Sequence, residues 1–229
     1  MLFENKPCKN TKLNINIDGS TVNQTDCVKF LGLQIDPQLT WKKHIDFLCN
    51  KIAKIIGVLY RVKFVLPHSI LLSLYNSLIF STLSYCNIVW GNTFASYLNR
   101  LYVLQKRAIR LIASTGYSSN VNKLFNKLNI LTVFDMYRHQ LGIFMFKINN
   151  NMLPAKFCNL FILNSSIHSY CTRNSSNYHL HNINTTVAKK SFIFSGIHFW
   201  NSLSPCIKNI TSVSSFTNKL KDYIIETSI

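Results

Sequence analysis

The chain has 229 residues, of which 48% are hydrophobic and 13% aromatic, and this content is ample to fill one large core or two small ones. Lys and Arg number 25 against 8 Asp and Glu, so the formal net charge is +17. A charge of this size bears on partners and solubility and not on the fold, and it favours a polyanion, of which nucleic acid is the obvious one. A solvated basic surface, or the drifting product of a pseudogene, would have the same composition.

Two short strands are predicted near the N terminus. Leu13, Ile15 and Ile17 alternate with polar residues before Gly19, which is the period of a half-buried strand entering a turn. The segment Phe30–Ile35 supplies the second strand. Because a two-stranded hairpin is marginal in water by itself, we expect this one to pack on the helices that follow or on a further domain.

The first predicted helix has one apolar face and one basic face. Thr40 is placed as its N-cap, and apolar residues then recur at spacings of three and four as far as residue 62. Lys43, Lys54 and Arg61 align on the opposite side, over roughly 27 Å of helix. This face is a candidate phosphate contact, and an ordinary solvated helix face explains the pattern equally well.

The second predicted helix, Pro67–Trp90, is almost free of charge. It lies within a segment, residues 64–99, that has no Asp, Glu, Lys or Arg and is long enough to span a bilayer. Its many Ser, Thr and Asn residues instead favour a central helix in a bundle, so we predict no membrane contact. The alternative function for this chain is a helical protein interaction module, in which Ile70–Trp90 docks on a partner.

The third predicted helix, Ser96–Ser114, has the densest basic face. Arg100, Lys106, Arg107 and Arg110 share an arc of about 120° at helical spacing, without one acidic residue. Such a face repels itself unless something anionic lies against it. These four residues are therefore candidate contacts to nucleic-acid phosphates.

The remaining pattern is helical up to a polar stretch and helical again beyond it. Helices are predicted over residues 120–128, 133–149, 155–163, 188–203 and 212–225, which makes the chain mainly α-helical. The predicted domain organisation is a β-hairpin at 1–38, a helical bundle at 39–163, a linker at 164–187 and a small C-terminal helical module at 188–229.

Several blocks of sequence, in this order, are similar to one protein family. They are FLGLQID, TWKKHI, LYNSLIFSTLSYCNIVWG, RLYVLQKRAIRLI and AKKSFIFSGIHFWNSLSPCIKN. They resemble the region downstream of the palm in non-LTR retrotransposon reverse transcriptases of the jockey-like, LINE type. The resemblance implies that residues 1–38 are a remnant of the palm–thumb junction and that the bundle is thumb-like. It also implies that Phe30, Leu31 and Gly32 form a primer-grip-like turn and that the opening MLFENKPCKN follows the palm, so that the reading frame begins at an internal Met.

The catalytic signature of these polymerases is missing from the sequence. Polymerisation requires an adjacent pair of Asp residues, with a third upstream, to hold two Mg²⁺ ions. No two of the eight acidic residues here are adjacent. We therefore predict no catalytic residue, metal site or cofactor in this chain, which would not be an enzyme by itself. The expected partners are RNA and DNA, bound through their phosphates, and a palm domain.

Other patterns in the sequence have weaker support. His44 and Asp46 match the H-x-D motif of iron-dependent oxygenases, but residues two apart on a helix point nearly opposite ways. Residues 41–67 also loosely resemble the N-terminal segment of an AlkB-type tRNA-modifying oxygenase, whose core this chain lacks, so no activity follows. A cluster of His and Cys residues has no zinc-knuckle spacing and indicates a polar loop. Its members are His168, Cys171, His179 and His181.

The seven cysteines indicate a reduced protein. Their number is odd and none forms a C-x-x-C pair. The N terminus shows no signal-peptide pattern. We therefore expect free thiols and an intracellular location, nuclear or cytoplasmic, rather than secretion.

Overall fold

Two pairs of short antiparallel strands precede a series of helices in the computed structural model. This arrangement confirms the predicted mainly α-helical fold class. The structure describes residues 1, 3, 15–115, 120–167 and 174–227. Leu13, His168 and Cys171, which the sequence singled out, lie outside these residues. The strands are β1 (Ile15–Ile17), β2 (Ser20–Val22), β3 (Val28–Phe30) and β4 (Leu33–Ile35). The helices are α1 (Lys42–Val62), α2 (His68–Leu74), α3 (Ser81–Ser84), α4 (Asn87–Trp90), α5 (Ala95–Ile112), α6 (Val121–Lys127), α7 (Val133–Asn149), α8 (Ala155–Cys158), α9 (Asn164–Ile167), α10 (Thr186–Lys189), α11 (Phe192–Ser202), α12 (Pro205–Lys208) and α13 (Val213–Thr227).

The N-terminal strands form two separate hairpins, where the sequence predicted one. β1 pairs with β2 and β3 pairs with β4, each across a two-residue turn. Asp18 and Gly19 have φ values of 48° and 79°, and Leu31 and Gly32 have φ values of 46° and 83°. Positive φ at both turn residues is the type I′ geometry that matches the twist of a tight hairpin. Each strand therefore pairs with its nearest neighbour in sequence.

The entry into α1 is held by the carboxylate of Asp36. It accepts hydrogen bonds from the Thr40 amide at 2.9 Å, the Thr40 hydroxyl at 2.8 Å and the Trp41 amide at 2.8 Å. Leu39 and Trp41 both have left-handed backbone angles, with φ of 52° and 61°. The helix begins at Lys42, and its cap residue is Trp41 instead of the predicted Thr40. The Thr40 hydroxyl donates to Asp36 and also accepts from the Lys42 amide at 3.5 Å.

The chain divides into two compact units that differ from the predicted domains. The first comprises Met1–Leu83 and Thr93–Ser114, and the second comprises Ser84–Asn92 and Thr115–Ile229. The units differ from the predicted domains because α11 and α13, which follow the predicted linker at 164–187, both pack on α7, which precedes it. The segment predicted as a separate C-terminal module therefore completes the core of the second unit.

In the first unit, α1 and α5 pack on one another and on the largely uncharged segment that follows α1. Leu71, Tyr75 and Ile79 of this segment are at most 1% exposed. The Tyr75 hydroxyl accepts a hydrogen bond from the Gln105 side chain at 2.8 Å, with both residues fully buried. Burial raises the pKa of Tyr75 well above its usual value, so the phenol stays neutral. This pair fixes the register of α5 on the segment.

The predicted continuous helix from Pro67 to Trp90 is interrupted twice. A π-helical segment, Tyr75–Phe80, joins α2 to α3. Cys86 then adopts a left-handed conformation with φ of 49°, and the chain restarts as α4, which ends at the predicted Trp90. Within the part of the chain that the structure describes, no helix has both the length and the apolar character needed to cross a membrane.

In the second unit, α7 is the central helix and packs against α4, α8, α11 and α13. Its bounds are those predicted, because Thr132 caps its N terminus by accepting from the Asp135 amide. Phe146 stacks on Phe216 of α13 with ring centroids 4.3 Å apart.

The predicted helix at 155–163 is shorter than expected, since Leu163 instead forms a β-bridge with Tyr178. The helix predicted at 188–203 is divided into α10 and α11, because Ser191 caps a new start.

We expect the Asp36→Ala variant to lower the free energy of unfolding by about 2–3 kcal/mol, since it removes three hydrogen bonds from a buried carboxylate that holds two left-handed residues in place. Chemical denaturation measures this change. The control is Asp26→Asn, which removes an exposed carboxylate from the same unit. Equal loss in both variants would contradict the capping role of Asp36.

The stability of the first unit should fall between pH 6.5 and about 4 because of His44. Its ring is 2% exposed and its Nδ1 accepts a hydrogen bond from the Gln34 amide at 3.4 Å, while burial lowers its pKa from 6.5 to about 4. Above pH 6.5 the ring is neutral in both the folded and the unfolded chain. Below pH 6.5 the unfolded chain binds a proton that the folded chain does not. This difference lowers the free energy of unfolding by up to about 3 kcal/mol.

Denaturation across this pH range, on wild type and on His44→Gln, measures the effect. Burial also lowers the pKa of His139 in the second unit, and that contribution is common to both proteins. The glutamine variant should therefore show a shallower pH dependence. Parallel curves for the two proteins would show that His44 contributes nothing.

Candidate nucleic-acid interface

Helix α1 has a buried face and a basic face on opposite sides, as predicted. Ile45 and Ile52 are fully buried. Lys43, Lys54 and Arg61 are exposed and lie within about 20° of one another, roughly 180° from the buried stripe at about 100° per residue. The Lys43 ammonium donates a hydrogen bond to the backbone carbonyl of Asp26 at 3.0 Å. The structure thus places the three predicted cations on one solvent face, and their role in binding stays a prediction.

Helix α5 repeats this arrangement. Its buried residues include Leu101 and Ile109, both fully inaccessible, and the predicted basic arc lies on the other side. Arg107 is exposed, while Lys106 and Arg110 are half-buried. The fourth predicted cation, Arg100, is exposed and differs from the other three in its surroundings. The rest of the basic arc, Lys106, Arg107 and Arg110, occupies the last two turns of the helix, where Arg107 is exposed and the Nε of Arg110 is buried.

Arg100 forms an ion pair with Asp46 of α1. The pair lies at solvent, with about half of each side chain exposed, so its own contribution to stability is about 0–1 kcal/mol. Its larger effect is on charge, because Asp46 is the one acidic residue between positions 37 and 134. Arg100 therefore neutralises this carboxylate beside the basic face of α1 and is itself less available to a phosphate. This pairing joins residues 54 positions apart.

The same ion pair shows how the two basic faces are related. At the opposite end of the helices, His68 begins α2 after a five-residue connection from α1. Its Nδ1–H donates a hydrogen bond to the carbonyl of Ile112, at the end of α5, at 2.6 Å. The two helices therefore run in the same direction. Around each helix axis, Asp46 and Arg100 lie about 60° from the centre of the basic face. The Arg100–Asp46 pair is exposed, and the basic face of α1 lies on one side of it and the basic face of α5 on the other. The two faces therefore form one broad surface at solvent.

The turn between β3 and β4 contains the three residues predicted to be primer-grip-like. Phe30 is 58% exposed and Leu31 is 72% exposed, and Gly32 has the positive φ that the turn requires. The hairpin is anchored from its other side, since β4 packs on α1 and Leu33 is buried. An exposed apolar turn on a fixed hairpin can contact a further molecule, and its role at a primer stays a prediction.

Three of the described carboxylates are engaged in separate places within the fold. Asp36 holds the entry to α1, Asp46 pairs with Arg100, and Asp135 accepts from Thr132 at 2.6 Å. Among the residues that the structure describes, no group of three His, Cys, Asp or Glu side chains could hold a metal ion. The H-x-D pair is also divided between two environments, because His44 is buried and Asp46 is at the surface.

One cluster next to α1 was missed from the sequence. The Lys63 ammonium lies 4.4 Å from the centroid of the Tyr60 ring and 4.6 Å from that of Phe64. We call Tyr60, Lys63 and Phe64 the aromatic–lysine cluster. Interleaved aromatic and basic residues in the run YRVKF were the signal that could have indicated it.

Two proteins of Drosophila melanogaster are similar to this chain. A probable RNA-directed DNA polymerase from transposon X-element is 25% identical over 126 residues, which is 53% of this chain and 14% of that protein. The RNA-directed DNA polymerase from mobile element jockey is 22% identical over 176 residues, which is 74% of this chain and 19% of that protein. No protein-family profile matches the chain, and no solved structure matches it.

The aligned part is a small fraction of either relative, so this chain spans less than a fifth of the length of the polymerases it matches. Both relatives are polymerases of mobile elements, and the longer match extends over about three quarters of this chain. These matches agree with the resemblance of the sequence blocks and with the mainly helical structure. The chain is thus related in sequence to the RNA-directed DNA polymerases of non-LTR retrotransposons of the jockey type.

Proposed function

We propose that this chain is a non-catalytic region of a retrotransposon polymerase and that the first unit binds the phosphate backbone of RNA and DNA without sequence preference. The observation that supports this proposal most is the surface made by the basic faces of α1 and α5 on the two sides of the Arg100–Asp46 pair. Binding of this kind needs no metal or cofactor in the chain. A role on RNA and DNA fits an intracellular protein, either nuclear or cytoplasmic.

The dimensions of α1 suit a nucleic-acid backbone. Lys43 and Arg61 are about 27 Å apart along the helix axis, at about 1.5 Å per residue. This length corresponds to about eight steps of one strand at about 3.4 Å per step. Lysine and arginine side chains along such a track displace counterions from several phosphates without reading the bases.

The β3–β4 turn extends the proposal to the end of a primer. Because β4 packs on α1, the exposed Phe30 and Leu31 belong to the same unit as the basic faces. In the proposed complex this turn supports the primer terminus, and a palm domain supplies the catalytic carboxylates. Apolar side chains in a fixed turn can pack against a sugar or a base edge, where long charged side chains would be less well ordered.

The alternative of a helical protein interaction module receives less support. It required the uncharged segment Ile70–Trp90 to dock on a partner, and the face formed by Leu71, Tyr75 and Ile79 is already buried within the first unit. Docking through apolar surface would depend weakly on salt, whereas phosphate binding weakens steeply as salt rises.

We expect the triple variant Lys106→Gln, Arg107→Gln and Arg110→Gln to bind RNA and duplex DNA more weakly to a similar degree. The slope of log affinity against log salt should become shallower by about two to three, since each lost phosphate contact lowers it by nearly one. The single variant Arg100→Gln should change the slope much less, because Asp46 already holds that guanidinium. Binding titrations at several salt concentrations measure both effects.

The matched control removes the same charge from the second unit. Lys123, Lys127 and Lys156 are all exposed, and changing the three to Gln lowers the net charge equally. This control should lose affinity slightly, through the long-range field, and keep its slope. An equal change of slope in both triple variants would contradict a defined surface on α5.

The purified chain should not extend a primer on an RNA template with Mg²⁺ or Mn²⁺. Three of the described carboxylates have separate partners, Asp36 in Thr40, Asp46 in Arg100 and Asp135 in Thr132. No two acidic residues are adjacent in the sequence to hold two metal ions. Incorporation of labelled nucleotide is measured against a reaction without protein, with an active polymerase as the positive control. Templated incorporation above that background would disprove this part of the proposal.

A further inference from the structure

We propose that the aromatic–lysine cluster is a stacking site for unpaired bases, so that the first unit prefers single-stranded nucleic acid to duplex. This inference rests on the proposed phosphate binding and names the form of nucleic acid that the surface takes. The cluster lies at the C-terminal end of α1. Lys63 is the cap residue of the helix, and Phe64 lies in the turn that follows.

The rings of the cluster are exposed and held in place. Tyr60 is 59% exposed and Phe64 is 82% exposed. The Lys63 ammonium lies within 5 Å of both ring centroids, at 4.4 Å and 4.6 Å, which is the range of a cation–π contact. One ammonium therefore restrains two rings while most of their area remains at solvent. Val65, next in the turn, is also 82% exposed.

The charge around the cluster indicates its ligand. Arg61 is exposed one residue beyond Tyr60 and belongs to the basic face of α1. The sequence has no acidic residue from position 47 to position 134. A partner that suits both features must combine negative charge with flat apolar faces. Single-stranded RNA or DNA has both, since its phosphates meet the cations and its bases can stack on aromatic rings.

Duplex nucleic acid offers only half of this complementarity. Its base faces are covered by their neighbours in the stack, so the rings would meet sugar and phosphate instead. The phosphate surface of α1 and α5 would still bind it. The expected result is affinity for all nucleic acids, with an added preference for single strands that depends on the presence of bases rather than on their order.

The test uses three ligands with equal numbers of phosphates. They are a single-stranded oligonucleotide, the same strand with several adjacent abasic sites, and a duplex. Wild type should bind the strand with bases roughly tenfold or more tightly than the abasic strand, which is the effect of stacking one base or more. The double variant Tyr60→Ala, Phe64→Ala should bind these two strands about equally and should bind duplex as wild type does.

Salt dependence separates this inference from the proposed function. The double variant retains Lys63 and every other cation, so its salt slope should equal that of wild type. A steep slope together with equal binding of the base-containing and abasic strands by wild type would overturn stacking alone. If wild type bound none of the three ligands at low salt, both proposals would be overturned.

The control is Val58→Ala, which shortens an apolar side chain that is 55% exposed on the same helix. It should retain the preference for bases, and circular dichroism should show that all variants fold, because the changed side chains are at the surface. Equal losses of the double variant on single strand, abasic strand and duplex would contradict the inference. The inference would also be contradicted if the double variant lost binding to anionic phospholipid vesicles while its affinity for RNA stayed equal to that of wild type.

Discussion

Burial of an uncharged stripe against α1 and α5 is the constraint on which the rest of the first unit depends. Leu71, Tyr75 and Ile79 follow one another at intervals of four residues and lie in the core. A cation enclosed beside them would lose several kcal/mol of hydration, on the order of what a small domain has in total stability. The cations of both helices therefore lie outside this core. The basic surface is a consequence of this packing, and the Tyr75–Gln105 hydrogen bond fixes the register in which it forms.

The parts of the fold that the sequence predicted are those determined by local patterns. The bounds of α7 follow from an apolar period and a threonine cap, and the basic faces of α1 and α5 follow from spacing along one helix. The turn residues Asp18 and Gly19 were a sufficient signal for a second hairpin, which the prediction overlooked. For the site, the positions of Lys54, Arg61 and Arg107 at solvent could be predicted in the same way.

Long-range features could not be predicted from patterns within one helix. The pairing of Arg100 with Asp46 joins two helices and separates one predicted cation from the other three. The division into two units depends on α11 and α13 packing across the polar stretch that was predicted to be a linker. Both are properties of tertiary packing. The aromatic–lysine cluster is instead local, since Tyr60, Lys63 and Phe64 lie within five residues and Lys63 keeps a right-handed helical conformation, and the sequence prediction overlooked it.

The central claim is that nucleic acid lies on the basic surface of the first unit, and lysine reactivity tests it most directly. Each lysine is modified with an amine-specific reagent, with and without a saturating RNA oligonucleotide, and the extent is read by mass spectrometry. The account predicts that RNA protects Lys54 and Lys106 but leaves Lys123 and Lys127 of α6 unchanged. Equal protection of the two pairs, or protection of the α6 lysines alone, would contradict it.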